Sequence, residues 1–155
     1  MKARLALAIL IITVTCVAPV GGASSPGATS VASAAAMAPS WLDRFNVIRA
    51  AAGLSAVVEN PSLSADAAKH VNYMLLNPDQ FLHSEDPGRP GYTPEGDLSA
   101  QQSNLGRVGV GFTAEQTIDG WMTSLHHRYG MLRPELAATG HAIGCNSQGC
   151  ATVLD

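Results

Sequence analysis

Three histidines are the residues of this chain whose types and spacing could do chemistry. His126 and His127 are adjacent and follow a short amphipathic stretch, whereas His83 lies far upstream in a segment rich in proline and glycine. Imidazole rings exchange protons near neutral pH, act as general acids or bases, and are common metal ligands. Adjacent side chains on a helix point about 100 degrees apart, so only one of the neighbouring pair would face a given cleft.

Common hydrolase motifs are absent from the sequence. There is no Gly-x-Ser-x-Gly elbow, no His-Glu-x-x-His pair and no cysteine that stays free once a disulfide has formed. A hydrolase would have to use His83 or His127 to activate Ser103, Ser124 or a metal-bound water. The sequence therefore favours a non-enzymatic role and leaves a metal- or histidine-dependent hydrolase as the alternative.

The first 40 residues are predicted to lie outside the folded domain. Lys2 and Arg4 precede an apolar run from Leu5 to Val14, and small residues follow at 21–23, which is typical of a cleaved signal peptide over 1–23. The apolar run is shorter than the roughly 20 residues of a spanning helix, so we expect no transmembrane anchor in the mature form. Residues 24–40 are rich in alanine and serine and predict a flexible linker. One folded domain then occupies 41–155.

Cysteine usage agrees with an extracellular protein, and the net charge argues against nucleic-acid binding. Cys16 would leave with the signal peptide, so Cys145 and Cys150 remain as a pair that predicts a disulfide. The formal net charge is -3, and it becomes more negative once Lys2 and Arg4 are removed. An acidic chain lacks the basic surface that nucleic-acid binding requires, so we expect no nucleic-acid partner.

Periodicity predicts three helices and a terminal hairpin. Each helix has a polar N-cap or a proline at its start, at Ser40, Pro61 and Thr113, and Gly53 and Asn77-Pro78 end the first two. The predicted buried faces are Leu42, Phe45, Ile48 and Ala52; then Leu63, Ala67, Val71, Met74 and Leu75; then Ile118, Trp121, Met122 and Leu125. Arg44 and Arg49 are predicted to stay in solvent.

The remaining segments are predicted to be a loop and a β-hairpin. Residues from Phe81 to Gly111 show no helical or strand period and contain many prolines and glycines, so they predict a long loop. The segment from Gly140 to Leu154 predicts a hairpin whose turn, residues 146–149, sets Cys145 opposite Cys150.

A series of short motifs resembles one known family. They are Asn60-Pro-Ser-Leu63, Ala67-Ala-Lys-His70-Val-Asn-Tyr-Met74, Phe81-Leu-His83, Trp121-Met-Thr-Ser124, His127-Arg128, Met131-Leu132 and Gly140. Their order and spacing over about 41–155 are similar to the CAP superfamily of cysteine-rich secretory proteins, antigen 5 and pathogenesis-related 1, in its bacterial SCP-like branch. The resemblance implies an α+β fold: a three-layer α-β-α sandwich with a small central antiparallel sheet.

The resemblance also implies a cleft. In much of the family two histidines and two acidic residues meet there and bind a divalent metal such as Zn²⁺; His83 and His127 match the histidines. Ser103 and Ser124 stand where the acidic residues are expected, which leaves only two good zinc ligands. Glu85 is a candidate replacement from the loop. His70 shares a helix face with Ala67 and Met74 and is expected to be a core histidine, and capping of a helix C-terminus is the ordinary alternative for His126 or His127.

The function that follows is a secreted CAP-type domain that binds rather than catalyses. Relatives in the family bind lipids, so the resemblance implies a small amphipathic, lipid or sterol-like ligand, held in an apolar groove formed by the loop Phe81–Gly111 together with Phe112. A surface protein is the other partner that the sequence leaves open.

Overall fold

The structure, a computed structural model, describes residues 40–155. The predicted signal peptide and the predicted linker up to residue 39 lie outside the described residues. The elements, in chain order, are α1 Trp41–Ala51, β1 Val58–Glu59, α2 Pro61–Leu76, α3 Pro94–Gln102, β2 Asn104–Val108, α4 Ala114–Met122, α5 Leu125–Met131, β3 Ala138–Thr139, β4 His141–Asn146 and β5 Gly149–Leu154. None of the helices in this part of the chain is both long and apolar enough to span a membrane.

Helices cover both faces of a three-stranded antiparallel sheet with the order β2-β5-β4. The side chains of β5 alternate, so that Ala151 and Val153 pack with Val71 and Met74 of α2, while Leu154 packs with residues of α1, α4 and α5. A short parallel pair, β1 with β3, forms a separate two-stranded sheet. The architecture is the α+β sandwich expected from the sequence.

The predicted starts of the helices are confirmed by their caps. Ser40 and Asp43 form a capping box at α1, and Thr113 and Gln116 form one at α4. The side chain of Asn60 caps α2, whose first residue is Pro61. These signals are local, so they can be identified without knowledge of the tertiary structure.

The prediction that Arg49 stays in solvent is wrong. Arg49 is fully buried, and its guanidinium donates to four backbone carbonyls, those of Ser55, Met131, Arg133 and Leu136. Helical periodicity marks position 49 as facing the same way as Phe45, which is also buried. The arginine thus ties α1 to the chain that follows α5, and its planar fork suits several carbonyls at once.

The predicted loop from Phe81 to Gly111 contains both α3 and β2. Helix α3 was not predicted because it has no apolar periodicity: the residues it buries are the small Gly96, Ser99 and Ala100. Its start nevertheless has the usual signals, Thr93 as N-cap and Pro94 as first residue. Residues 81–93 of the predicted loop belong to the connection between α2 and α3, which begins after Leu76.

The predicted third helix is two helices. The chain turns at Thr123, and Ser124 caps a new helix, α5. Leu125, predicted to be buried, is therefore 68% exposed. His126 and His127 lie in the first turn of α5, so the alternative that either caps a helix C-terminus is wrong.

The C-terminal hairpin has the predicted turn. Asn146 pairs with Gly149 across it, and Cys145 pairs with Cys150 on adjacent strands. A disulfide joins the two cysteines. The turn is supported by Asn146, whose side-chain oxygen accepts the backbone N–H of Gln148.

Candidate functional site

The segment between α2 and α3 positions His83. The ring atom Nδ1 lies 2.8 Å from the carbonyl oxygen of Ala100, near the end of α3. A carbonyl only accepts, so Nδ1 carries the proton and Nε2 is left to face other groups. His83 is exposed to solvent.

His127 lies on α5 at the third helical position. Its Nδ1 is 3.1 Å from Oγ of Ser124, and its ring meets the edge of Trp121 at a centroid distance of 6.3 Å. Burial lowers the pKa of His127 below its usual value, and the nearby positive charges of His83 and His126 lower it further. The two predicted cleft histidines are therefore within electrostatic reach of one another, and both burial and these charges favour the neutral ring of His127.

The start of β2 links the two histidines. The side-chain amide of Asn104 donates to the carbonyl oxygen of His127 at 3.1 Å. Ser103, the preceding residue, caps the end of α3, three residues after the carbonyl that holds His83. Ser103 is itself buried, and its Oγ lies 3.4 Å from that of Ser99. The hydroxyl therefore faces the protein interior rather than an open cleft.

Glu85 is not a cleft residue, contrary to the sequence prediction. Its side chain is fully buried and accepts from Nδ1 of His70 at 2.9 Å and from the backbone N–H of Thr93 at 2.9 Å. The position is possible because residue 96 is glycine: a Cβ there would come within 2.5 Å of the Glu85 carboxylate. His70 is buried, as predicted, although its partner is this carboxylate rather than the backbone.

The side chains available at the histidines do not fit a tight metal site. Zn²⁺ sites usually have three or four nitrogen, oxygen or sulfur ligands. Here Glu85 is engaged with His70, and Ser103 and Ser124 offer only neutral hydroxyls. No group of three or more histidine, cysteine, aspartate or glutamate side chains within residues 40–155 is arranged to hold a metal ion. His83 and His127 alone would hold Zn²⁺ weakly.

A groove of about 330 Å³ opens between β2 and α4, and we call it the β2–α4 groove. Its lining includes Leu105, Val108, Phe112, Thr117, Gly120 and Trp121, together with Ser124 and His127. Phe112 is 48% exposed at this surface. The groove thus combines an apolar wall with an imidazole, a hydroxyl and the side chain of Arg107, whose guanidinium donates to three backbone carbonyls.

Gly120 contributes to the groove by having no side chain. A Cβ at this position would meet no atom within 4 Å, so it would project into open space. Gly120 is not among the site residues predicted from the sequence. A glycine within an otherwise well-formed helix was the available signal, because glycine lowers helix stability and is often retained for a packing or functional reason.

Comparisons with known proteins agree on the fold. The model of the cysteine-rich secretory protein family, CAP, matches residues 42–155. The comparison with curated proteins found no match.

Two solved structures are similar to the chain. An outer surface protein from Borrelia burgdorferi aligns with a TM-score of 0.54 and 14% identity, over 73% of this chain and 86% of that one. An extracellular protein containing a SCP domain from Bacillus anthracis aligns with a TM-score of 0.52 and 18% identity, over 74% of this chain and 38% of that one. At these identities the likeness concerns the fold.

Proposed function

The chain belongs to the cysteine-rich secretory protein (CAP) family, and from this premise we propose that it is a secreted, non-enzymatic binding module for a small amphipathic or lipid ligand. The β2–α4 groove is the observation that carries the proposal. Its volume of about 330 Å³ lies at the lower end of the range of ligand pockets. An extracellular location is supported by the two structural relatives, which are described as outer-surface and extracellular proteins.

The chemistry of the groove suits a ligand with one apolar and one polar part. Phe112 offers exposed aromatic surface, while the largely buried Trp121 contributes only a small exposed part to the lining; aromatic side chains bury large areas of a bound apolar group. His127 and Ser124 supply hydrogen-bonding groups, and the lowered pKa of His127 favours its uncharged ring. A hydroxyl or carbonyl headgroup would be matched by such partners.

Filling the groove from within tests the proposal. In Gly120→Leu the new side chain would occupy open space, and helix propensity rises on replacing glycine, so the variant should fold. The matched control is Ala68→Leu on the exposed side of α2. Each protein is titrated with cis-parinaric acid and with dehydroergosterol, a fluorescent fatty acid and a fluorescent sterol.

We expect saturable binding of at least one probe to the unmodified protein and to Ala68→Leu, and its loss in Gly120→Leu. No saturable binding of either probe to the unmodified protein would remove the lipid version of the proposal. Unchanged binding in a folded Gly120→Leu protein would place the ligand elsewhere.

A histidine-dependent hydrolase is the second candidate, and one contact favours it. Oγ of Ser124 lies 3.1 Å from Nδ1 of His127, which is hydrogen-bond distance for a nucleophile and its base. The same contact is accounted for by the role of Ser124 as the N-cap of α5. Turnover of p-nitrophenyl esters or peptides that disappears in Ser124→Ala would support the hydrolase; inactivity with and without Zn²⁺ would count against it.

A further inference from the structure

Helix α5 has an apolar stripe on its outer face. Leu125, Tyr129 and Leu132 follow one another at positions i, i+4 and i+7, a spacing that normally marks the face a helix buries. Here the buried side belongs to Met131, which is 1% exposed, whereas Leu125 and Tyr129 are 68% and 75% exposed. Leu125 and Tyr129 therefore point away from the protein and from the β2–α4 groove, which His127 lines, and Leu132, the C-cap residue of α5, is half-buried beside them.

Arg128 lies on the same outer face and differs from the other basic residues of the domain in its lack of an acceptor within residues 40–155. Six of the seven basic side chains in residues 40–155 have acceptors: Arg44 on Asp119, Lys69 on Asp66, Arg89 on Asp79, Arg133 on Glu135, and Arg49 and Arg107 on backbone carbonyls. Within that part of the chain, the guanidinium of Arg128 has neither an ion pair nor a hydrogen bond. An arginine of this kind is available to a carboxylate from another molecule.

The residues of the stripe and Arg128 line one cavity. It has a volume of about 290 Å³ and is bounded by α5 on one side and by Arg133, Pro134 and Glu135 on the other. Arg133 is neutralised by Glu135 at 2.9 Å, so the uncompensated charge in the cavity is that of Arg128. The surface thus offers one positive group amid leucine and tyrosine.

We propose that this face of α5, defined by Leu125, Arg128, Tyr129 and Leu132, docks a segment of a partner protein that presents an apolar side chain next to a carboxylate. The partner must supply a carboxylate because Arg128 is positively charged, and it must supply an apolar side chain because Leu125 and Leu132 are apolar. Tyrosine and arginine are also among the residue types that dominate binding energy at protein interfaces. This surface does not include the groove, so the inference does not depend on the proposed lipid ligand.

Other occupants fit the observations less well. An anionic membrane would be repelled by a chain of net charge -3 and would meet one uncompensated arginine rather than a basic cluster. Residues 1–39 of the chain contain no aspartate or glutamate, so they offer Arg128 no side-chain carboxylate.

Peptide display on the intact protein tests the inference. Random peptides selected on the unmodified protein are synthesised and measured by calorimetry against three variants, Arg128→Gln, Tyr129→Ala and Arg133→Gln. The last is the matched control, because it removes an arginine from the same cavity whose charge is already compensated. All three side chains lie at the surface, so we expect the variants to fold, which circular dichroism checks.

We expect the selected peptides to share an aspartate or glutamate beside a leucine, isoleucine or aromatic residue. Arg128→Gln and Tyr129→Ala should each weaken binding about tenfold or more, and Arg133→Gln less than about threefold. Gly120→Leu should leave peptide binding unchanged, so a failure of the groove proposal would leave this result intact.

Three outcomes would overturn the inference. The first is a selection that yields no peptides with the acidic and apolar pair, or peptides that bind Arg128→Gln as tightly as the unmodified protein. Arg128-dependent sedimentation with phosphatidylserine vesicles would assign the face to a membrane. Arg128-dependent self-association in ultracentrifugation would assign it to a second copy of the chain.

Discussion

At the scale of single residues, several polar and charged side chains are buried in this domain. Arg49 and the pair His70–Glu85 are buried, and each joins segments that are distant in the chain. A buried polar group is costly without partners, so its hydrogen bonds select one arrangement of the surrounding backbone. These residues stabilise the fold, whereas His127 and Arg128 lie on the two surfaces proposed to bind other molecules.

Removal of Arg49 should destabilise the protein strongly. Arg49→Ala leaves four carbonyls without their donor and empties a buried site, so we expect the free energy of unfolding to fall by about 3 kcal/mol or more. Arg49→Lys should recover only part of the loss, because an ammonium lacks the planar fork. Urea denaturation measures both. A loss no larger than that of Arg44→Ala, an exposed ion pair, would contradict the assignment.

Zinc should bind weakly at His83 and His127. The carboxylate closest to His83 in the sequence, that of Glu85, is held by His70 and Thr93. We expect calorimetric titration of Zn²⁺ to show no micromolar binding and to give the same heats with the double variant His83→Ala, His127→Ala. Micromolar binding that the double variant loses would show that the chain supplies further ligands, and it would strengthen the hydrolase alternative.

At the scale of elements, the break between α4 and α5 decides which face each histidine and leucine presents. Ser124 ends the continuous helix that the sequence pattern suggested, and it starts a helix that turns His127 toward the groove and Leu125 toward solvent. Both candidate interaction surfaces therefore depend on one helix start.

The cap at Ser124 should be worth a measurable part of the stability. Ser124→Ala removes the acceptor for the backbone N–H of His127, and we expect a loss of about 1 kcal/mol; Ser124→Asp keeps an acceptor and should lose less. Thermal and urea unfolding report the change. Ser62→Ala on the exposed first turn of α2 is the control. Equal losses in Ser124→Ala and Ser124→Asp would rule out capping as the cause.

The elements that the sequence predicted are those with local signals. Caps and apolar stripes identify α1, α2 and the start of α4, and the family motifs identify the fold and place His83 and His127. Helix α3 was missed because it buries glycine, serine and alanine, and Arg49 because its acceptors lie more than 80 residues away for three of its four bonds. Tertiary partners of this kind leave no mark in a local pattern.

At the scale of the whole molecule, one buried histidine, His141, makes stability depend on pH. Burial lowers the pKa of His141 from 6.5 to about 4, with Glu115 and Glu59 opposing the shift. Its ring packs against the rings of Trp41 and Trp121, and its Nε2 forms a hydrogen bond with Oγ1 of Thr152. Between these two pKa values the unfolded chain binds the proton and the folded protein does not, so stability is lost as the pH falls.

We expect the free energy of unfolding to decrease between pH 7 and pH 4, with a contribution of up to about 3 kcal/mol from His141. Urea denaturation across this range measures the decrease, and His141→Gln should flatten it. NMR titration of the His141 ring gives an independent check if that variant is unstable. An unchanged slope in His141→Gln, or a ring that titrates near pH 6.5, would contradict the prediction.

The strand order β2-β5-β4 has a consequence for how the domain is assembled. Within residues 40–155 the central strand, β5, is the last of ten elements, and there β2 pairs with it alone, Asn104 opposite Leu154. Until residues 149–154 are in place, β2 has no partner strand, and the sheet surface that α2 covers is incomplete. The three-stranded sheet of the described domain should therefore be completed only after synthesis has passed the hairpin.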